Sequence, residues 1–393
     1  MEYRPYYLGR EWCRLGHRVR IVASAYSHVR THNPDLRGRS RVDDVVDAVE
    51  YTWFKTPTYT GNGARRFLNI AAFVRRLYRE GPCLAREFRP DVVIASSTYP
   101  LDIWPAHRIA RLSGARLLFE VHDLWPLSPM ELGGYSSRHP FIMLLQAAEN
   151  YACRHADAVV SILPKVREHL EAHGMAPHKL HLIPNGTDPA EWLSDPAPLP
   201  STVANTLAEL SRRDQFIVGF AGSHGVVNAL ETLLGAAALM RDDPVAFVLV
   251  GTGPEKERLR QRARDDRLDN VCFLDPVAKK HIPALLNAFD LTYIGLQRQP
   301  LFRFGVAPNK LIDYMMAARP ILYAIEAGND LVAEAGCGIS VQAENAPAVA
   351  QGIHAMRAMT REQRSAMGHR GRHFVLENLV YPVLGQRFLK ACC

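Results

Sequence analysis

The sequence predicts an α/β protein made of two domains, each a parallel sheet covered by helices. Three observations predict this class: the length, a repeated alternation of short apolar runs with amphipathic helical patterns, and a proline-rich break in that alternation. A chain of 393 residues is long for a single hydrophobic core. Alternating strands and helices are typical of parallel sheets. The segment 189–200 contains four prolines and divides the chain as a linker would.

The composition is that of an ordinary globular protein. Hydrophobic residues make up 48% and charged residues 22% of the chain, which excludes a disordered protein. No apolar run reaches about 18 residues, so we expect no transmembrane helix, and the N-terminus lacks the apolar core of a signal peptide. The seven cysteines are scattered without CxxC spacing. They predict buried or incidental thiols in a reducing cytoplasm and neither a disulfide framework nor a metal site.

The first half of the chain alternates strands and helices in order. Apolar runs predict strands at 19–23, 48–54, 91–95, 115–121, 156–161 and 180–183, and helical patterns predict helices at 5–16, 64–88, 138–155 and 164–173. His122 and Asp123 follow one of these strands, at the edge where parallel sheets place their ligand loops. The residues alone leave two interpretations of His122, a structural histidine or a ligand-facing imidazole.

The second half repeats the pattern. Strands are predicted at 216–220, 246–250, 271–274, 291–294, 320–324 and 339–341, and helices at 229–240, 282–289, 346–357 and 361–377. The loop with Gly222 and Ser223 precedes a helix, as phosphate binding requires, although glycine before a helix also has a purely steric explanation. The later turn at 251–255 lacks the third glycine of the dinucleotide fingerprint, so a redox cofactor site is not expected.

The stretch 304–320, FGVAPNKLIDYMMAARP, carries the strongest ligand-binding pattern. A turn leads into a helix whose predicted cap is Asn309, and free amides with the positive helix end form an anion site. Lys310 adds a cation there, and Asp313, about one turn further, would accept a hydrogen bond from a sugar hydroxyl. A diphosphate with a ribose suits this arrangement. The alternative is an ordinary capped helix after a turn.

The segment PNKLIDYMMAARPIL resembles the donor-binding segment of family 4 glycosyltransferases with the GT-B fold, especially bacterial enzymes that assemble surface polysaccharides. The resemblance extends, in the family's order, to EVHDLWP, SILPKVREHLEAHG, IPNGTD, FAGSHG, VLVGTGPEKERL and FDLTYIGL. It implies two Rossmann-like domains facing a central cleft. The acceptor-side domain would span 1–195, with 378–393 packing back on it, and the nucleotide-sugar domain would span 205–377.

The resemblance also implies a reaction. A retaining hexosyl- or N-acetylhexosaminyl-transferase would move a sugar from a nucleotide-diphosphate sugar to a lipid-linked saccharide in cell-surface polysaccharide synthesis, with no cofactor and no obligatory metal. The roles implied for individual residues are catalysis by His122 and Lys310, donor phosphate binding by Gly222, Ser223, Arg303, Asn309 and Lys310, and ribose or nucleotide binding by Gly251, Pro276 and Asp313.

The sequence departs from the family's pattern in three places. The strand and glycine-rich loop that precede the N-terminal helix in the family are not in this sequence, which indicates that Met1 is an internal methionine of a longer protein. The first acid of the family's Glu-x7-Glu pattern has no counterpart, since Phe302 and Arg303 stand near its place. The loop at 221–225 lacks the usual arginine and lysine. Two alternatives therefore stay open: a nucleotide-sugar epimerase of the same fold, or a truncated, inactive nucleotide-sugar-binding protein.

The positive charge is concentrated in the N-terminal quarter. Of a net +7, residues 1–90 contribute 17 Lys and Arg against nine Asp and Glu. Arginines and aromatics mixed there favour an anionic membrane surface or a diphosphate lipid, and a solvated basic helix face is the alternative. No nucleic-acid-binding module accompanies them, so nucleic acid is not an expected partner. The expected location is cytoplasmic, peripheral on the inner face of the plasma membrane. The residues concerned are Trp53, Phe54, Tyr59, Arg65, Arg66, Phe67, Arg75, Arg76, Tyr78 and Arg79.

Overall fold

A computed structural model describes residues 3–27, 30, 32–61, 63–97 and 100–393. Residues 1, 2, 28, 29, 31, 62, 98 and 99 lie outside the described residues, and with them the prediction made for Met1. The chain forms two compact units. The first comprises Met1–Asn185 together with Tyr381–Cys393, and the second comprises Gly186–Val380. Within the described residues, every helix is too short or too polar to cross a lipid bilayer.

The first unit contains two sheets, of order β1-β3-β2 and β4-β5-β6-β7. Neighbouring strands are parallel except β2 and β3, which form an antiparallel hairpin. The first strand of this hairpin was not predicted, because half of its residues are exposed and two of these are acidic. The strands are β1 (Arg20–Ser24), β2 (Arg41–Val46), β3 (Val49–Phe54), β4 (Val92–Ser96), β5 (Arg116–Val121), β6 (Ala158–Ser161) and β7 (Leu180–Leu182).

Helices cover these sheets and bury their apolar side chains. All four residues of β6 are buried, as is typical of a central parallel strand. The helices of this part of the chain are α1 (Tyr3–Arg14), α2 (Ala64–Phe88), α3 (Ile103–Ser113), α4 (Leu127–Gly133), α5 (Pro140–His155) and α6 (Arg167–Ala172).

The second unit is built on one parallel sheet of order β10-β9-β8-β11-β12-β13. Every residue of β8 and β9 is buried, so these two strands form the centre of the core. The carboxyl ends of β8, β9 and β11 therefore lie side by side at one edge, where parallel sheets bind their ligands. The strands are β8 (Phe216–Ala221), β9 (Val245–Val250), β10 (Val271–Leu274), β11 (Leu291–Gly295), β12 (Ile321–Ala324) and β13 (Gly338–Ser340).

The segment expected to be a linker is partly helical. Its prolines at 189 and 200 occupy the N-caps of two helices, and Trp192 between them is buried in the core of the second unit. The residues from 186 onward therefore group with the second unit rather than with the first. The helices here are α7 (Ala190–Leu193), α8 (Ser201–Arg212), α9 (Leu230–Leu239), α10 (Lys256–Asp265), α11 (Ile282–Asn287), α12 (Asn309–Met316), α13 (Leu331–Ala335), α14 (Ala346–Ala358) and α15 (Arg361–Asn378).

The last helix, α16 (Tyr381–Cys392), belongs to the first unit. It packs against α1, where the rings of Tyr7 and Tyr381 stack with their centroids 4.8 Å apart. Phe388 is fully buried in the same cluster. The two ends of the chain thus share one hydrophobic core.

Candidate functional site

The helix α12 starts where the sequence placed the anion site, but its cap differs from the prediction. Asn309 is the first helical residue, it is exposed, and Pro308 occupies the N-cap. The prediction that Asn309 caps the helix with its side chain is therefore wrong. Proline, with its fixed φ, suits a helix start, and it offers no side-chain acceptor to the amides of the first turn.

Lys310 lies beside the loop that follows β8. A methyl group built on Gly222 would come within 3.4 Å of Lys310 Nζ. The ammonium donates a hydrogen bond to Asn228 Oδ1 and lies 4.7 Å from the centroid of the Phe220 ring. Burial lowers the pKa of Lys310 to about 8, so it remains mostly protonated at neutral pH. The structure thus brings Gly222 and Lys310 together.

Asn228 connects Lys310 to the rest of the glycine loop. Its amide Nδ2 donates to the carbonyl oxygen of Ser223 at 2.9 Å, while its Oδ1 accepts from the lysine. The loop at 221–225 carries no arginine or lysine of its own. Asn228 instead orients Lys310 beside this loop.

A buried tyrosine joins α12 to the end of β8. The Tyr314 hydroxyl donates to the carbonyl of Ala221 at 3.1 Å and accepts from the amide of the same residue at 2.9 Å. Tyr314 is one of the largest fully buried side chains of the protein. This double contact sets the position of α12 relative to the glycine loop.

The loop after β9 touches the loop after β8 by direct backbone contact. A methyl group on Gly251 would lie 1.9 Å from the carbonyl oxygen of Gly222, so only glycine fits there. Lys256 supports the same turn, because its Nζ donates to the Gly251 carbonyl at 2.9 Å and to Asp275 Oδ1 at 2.8 Å. Pro276, next along the chain, is exposed. The sequence did not identify Lys256 as a residue of this site.

His224 is fully buried between these loops, and neither ring nitrogen has a hydrogen-bond partner among the described residues. Burial, together with the positive charges of Lys256, Arg260 and Lys310, lowers its pKa to about 4. The imidazole is therefore neutral at physiological pH. It therefore adds no charge to the loop beside Lys310.

Asp313 lies half-buried on α12. Burial raises its pKa to about 7, and the nearby charges of Lys279 and Glu191 have opposing effects. Lys279 and Glu191 form an ion pair with their closest atoms 2.7 Å apart. Near neutral pH, the Asp313 carboxyl group can therefore accept a hydrogen bond when ionised or donate one when protonated.

Arg303 is exposed on the turn that precedes α12. Its Nη1 donates to the carbonyl of Pro300 at 2.7 Å, and its guanidinium carbon lies 4.3 Å from the centroid of the Phe304 ring. Both contacts are with neighbours in the chain. Its role as a second phosphate-binding cation therefore stays a prediction.

In the first unit, His122 follows β5 as expected. Its backbone amide donates to Ser97 Oγ at 2.8 Å, and its Nε2 lies 3.0 Å from Glu120 Oε2. Glu120, on the strand itself, is therefore an acid that contacts this imidazole, and Asp123 is exposed.

Glu120 is buried and also paired with Arg4, whose Nε donates to Oε1 at 2.8 Å. Burial alone would raise the pKa of Glu120, but the attraction of His122 and Arg4 outweighs it and holds the pKa at about 2. Arg4 also donates from Nη2 to the carbonyl of Ile183 at 2.9 Å. One buried carboxylate thus joins the N-terminal helix to the histidine.

The basic and aromatic residues of the N-terminal quarter do not form one surface. Trp53, Phe54 and Tyr59 are buried, and so they belong to the core. The helix α2 exposes Arg75, Tyr78 and Arg79 instead. The prediction that Trp53 and Phe54 belong to an exposed basic and aromatic surface was therefore wrong, because both lie on the buried strand β3 and pack into the core.

Comparisons with known proteins agree with this architecture. One family model, described as "Glycosyl transferase 4-like domain", matches residues 1–186, and another, described as "Glycosyl transferases group 1", matches residues 215–358. The chain is a family 4 glycosyltransferase. This confirms the resemblance that the motifs from 120 to 320 predicted.

The glycosyltransferase has a relative in Escherichia coli (strain K12), the "Putative colanic acid biosynthesis glycosyl transferase WcaI". The two are 24% identical over 389 residues, which cover 94% of this chain and 92% of WcaI.

Many solved structures are similar to this chain, and two of them illustrate the fold. Sucrose-phosphate synthase from Thermosynechococcus elongatus superposes with a TM-score of 0.72 at 17% identity, over 98% of this glycosyltransferase and 90% of that chain. HepE of Anabaena, in complex with UDP-glucose, gives a TM-score of 0.63 at 16% identity, over 88% and 85% of the two chains. These likenesses confirm the predicted GT-B fold.

Proposed function

We propose that this glycosyltransferase moves a sugar from a nucleotide-diphosphate sugar to a lipid-linked saccharide, with retention of anomeric configuration, in the synthesis of a cell-surface polysaccharide. The observation that carries the proposal is Lys310, a partly buried cation at the head of α12 beside the Gly222 turn. A helix start with free amides and an adjacent ammonium group suits a diphosphate.

The proposed chemistry is electrostatic stabilisation of the leaving group. The bond between the sugar C1 and the phosphate oxygen breaks, and negative charge develops on the diphosphate. Lys310 and the first amides of α12 would stabilise this charge in a site that is already partly desolvated. The acceptor oxygen bonds to C1 on the same face, and its proton passes to the departing phosphate oxygen. Charge, atoms and configuration are then accounted for without a metal ion.

The nucleotide half of the donor would lie along the second unit. Asp313 offers the ribose a carboxyl group that both donates and accepts near neutral pH. Gly251 and Pro276, on the loops after β9 and β10, would border the nucleotide. A uridine nucleotide is the first candidate, because HepE is similar to this chain and its structure contains UDP-glucose.

The first unit would bind the acceptor. His122 is held by Glu120 and Ser97 with its imidazole at the end of β5, which suits a contact with the hydroxyls of the donor sugar beside the acceptor. The arginines exposed on α2 would attract an anionic membrane surface or a diphosphate lipid. The enzyme would then work as a peripheral protein on the cytoplasmic face of the membrane.

The test is the variant Lys310→Met, which keeps the alkyl chain against Phe220 and removes the charge. With a UDP-sugar donor, we expect turnover to fall about 10²–10³-fold, equivalent to about 2.7–4 kcal/mol of lost transition-state stabilisation. Lys280→Ala is the matched control, because Lys280 is exposed on the second unit. Equal turnover of Lys310→Met and the parent enzyme would refute the assignment.

The products separate this function from its alternatives. Nuclear magnetic resonance of the transferred sugar should show the anomeric configuration of the donor, and an inverted product would contradict retention. Isomerised nucleotide sugar formed without an acceptor would indicate an epimerase. Tight UDP binding by calorimetry, with neither transfer nor isomerisation across a panel of UDP-, GDP- and dTDP-sugars, would indicate a binding protein.

A further inference from the structure

A second cluster of polar side chains lies in the first unit, apart from the residues assigned above. Glu149 belongs to α5, while His169 and His173 belong to α6 and its C-cap. The two histidines are four residues apart, and this spacing places them on one face of the helix. One ligand atom of each of the three residues lies within 4.8 Å of the other two.

The carboxylate of Glu149 stands between the two imidazoles. His169 Nε2 lies 2.9 Å from Glu149 Oε1, and His173 Nε2 lies 3.8 Å from Glu149 Oε2. The ligands of a tetrahedral ion with bonds of about 2.0–2.1 Å lie about 3.3 Å from each other. The two separations from Glu149 bracket this value and the third lies within 4.8 Å, so side-chain adjustments of up to about 1.5 Å would complete the set.

A second layer of polar groups orients the cluster. The Asn150 side-chain oxygen lies 2.9 Å from His173 Nδ1, and Gln146 Nε2 donates to Glu149 Oε2 at 3.0 Å. Gln146 Nε2 also lies 3.0 Å from His173 Nδ1, so Nδ1 either donates to Asn150 or accepts from Gln146. The first arrangement leaves Nε2 unprotonated and near the carboxylate, as metal binding requires. Histidines that bind metals almost always donate their other ring N–H to such a partner.

The three side chains of the cluster differ in their exposure to solvent. The Glu149 side chain is 4% exposed, that of His169 10% and that of His173 25%. An ion could therefore enter from the His173 side, and water could complete its coordination there.

We propose that Glu149, His169 and His173 bind one divalent transition-metal ion of the zinc class, which would connect α5 to α6. Two imidazoles and one carboxylate are a donor set that zinc uses in proteins. Ions that prefer oxygen ligands, such as Mg²⁺ and Ca²⁺, do not suit this site, because two of its three ligand atoms are nitrogen. This proposal is independent of the transfer reaction and of its donor site.

The experiment is a titration of the chelator-treated full chain with ZnCl₂ in competition with a chromophoric chelator. We expect one tight ion per chain, and binding at least about tenfold weaker in His169→Ala and in His173→Ala. His178→Ala, at an exposed histidine of the same unit, is the matched control and should bind as the parent does. Circular dichroism shows that each variant is folded.

Cobalt(II) supplies a second readout. Substitution with CoCl₂ should give the visible bands of a four- or five-coordinate ion in the parent and in His178→Ala, and these bands should be lost in His173→Ala. The proposal is overturned if the chain binds no stoichiometric Zn²⁺. It is equally overturned if His173→Ala, which removes the most exposed ligand, binds Zn²⁺ and Co²⁺ as the parent does.

Discussion

Asp313 gives the second unit a pH dependence whose sign follows from burial. Its pKa is raised to about 7 in the native state from an ordinary value of 3.8. Between these two values the native state binds more protons than the unfolded state. The free energy of unfolding must therefore fall as the pH rises through this window, and the loss is complete above about pH 7.

The variant Asp313→Asn removes this titration and keeps a polar side chain. We expect it to unfold at a higher urea concentration than the parent at pH 8, with a gain of about 2–4 kcal/mol, and the gain should shrink towards pH 5. Urea titrations at several pH values measure the difference. Parallel stability curves for the two proteins would show that the carboxyl group ionises normally.

Burial disfavours the charged form of Asp313, whereas Arg4 stabilises the charged form of the buried Glu120. Replacing it by Met leaves Glu120 buried with His122 alone. We expect Arg4→Met to destabilise the first unit by about 3–5 kcal/mol, because breaking a buried ion pair strands its partner. Arg14→Met is the control, because Arg14 pairs with Glu11 from a side chain that is 60% exposed, and it should cost under about 1 kcal/mol.

A double variant separates the charge from the packing. If the stranded carboxylate causes the loss, Arg4→Met combined with Glu120→Gln should be more stable than the sum of the two single effects predicts. Urea denaturation of the four proteins gives the coupling energy. Additive single effects would place the loss in the packing of α1 instead.

At the scale of the element, Tyr314 makes a contact that two other buried tyrosines do not. Its hydroxyl bonds both backbone groups of Ala221, whereas the hydroxyls of Tyr293 and Tyr323 have no hydrogen-bond partner among the described residues. Removing a bonded hydroxyl strands a buried amide and a buried carbonyl. Removing an unbonded one strands nothing.

We therefore expect Tyr314→Phe to lower the free energy of unfolding by about 1–3 kcal/mol, and Tyr323→Phe to be neutral or stabilising. Urea titrations at fixed pH compare the two, and both variants lose the same single oxygen. Tyr314→Phe should also weaken UDP binding, because α12 and the glycine loop lose their link. Equal effects of the two variants would contradict this account.

The sequence predicted most elements because their patterns are local. The apolar runs of β8 and β9 and the glycine at the end of α6 are visible without any knowledge of the fold. The strand β2 was missed because its sequence, RVDDVV, is half exposed and pairs with its hairpin partner. The short helix α7 was missed because four prolines nearby favoured a linker, whereas burial of Trp192 decides the structure.

The residues of the site could be predicted where they lie on one segment of the chain. They could not be predicted where the fold brings together residues that are distant in sequence. Lys310 and Asp313 share a helix, so their proximity follows from periodicity. Arg4 and Glu120 are 116 positions apart, and no local pattern can pair them. The same limit applies to Glu149, which contacts a histidine 20 positions later across two different helices.

At the scale of the whole molecule, the last helix of the chain completes the hydrophobic core of the first unit. Phe388 of α16 is fully buried, its ring lies 5.1 Å from that of Trp12, and the Trp12 indole donates to the carbonyl of Gly385 at 3.1 Å. The first unit therefore cannot complete its core until the second has been synthesised. Loss of α16 contacts should weaken the first unit and leave the core of the second unit intact.

Phe388→Ala tests this division together with the donor site. We expect calorimetry to resolve two unfolding transitions, and the variant to destabilise one of them by about 3–5 kcal/mol, the cost of a large cavity. UDP at 100 times its dissociation constant should stabilise the other by about 2.7 kcal/mol. Gln386→Ala, at an exposed position of α16, is the control and should move neither. If calorimetry shows a single transition, and both Phe388→Ala and UDP shift it, then the two units unfold together. If UDP stabilises the same transition that Phe388→Ala destabilises, while the other is unchanged, then the nucleotide binds the first unit.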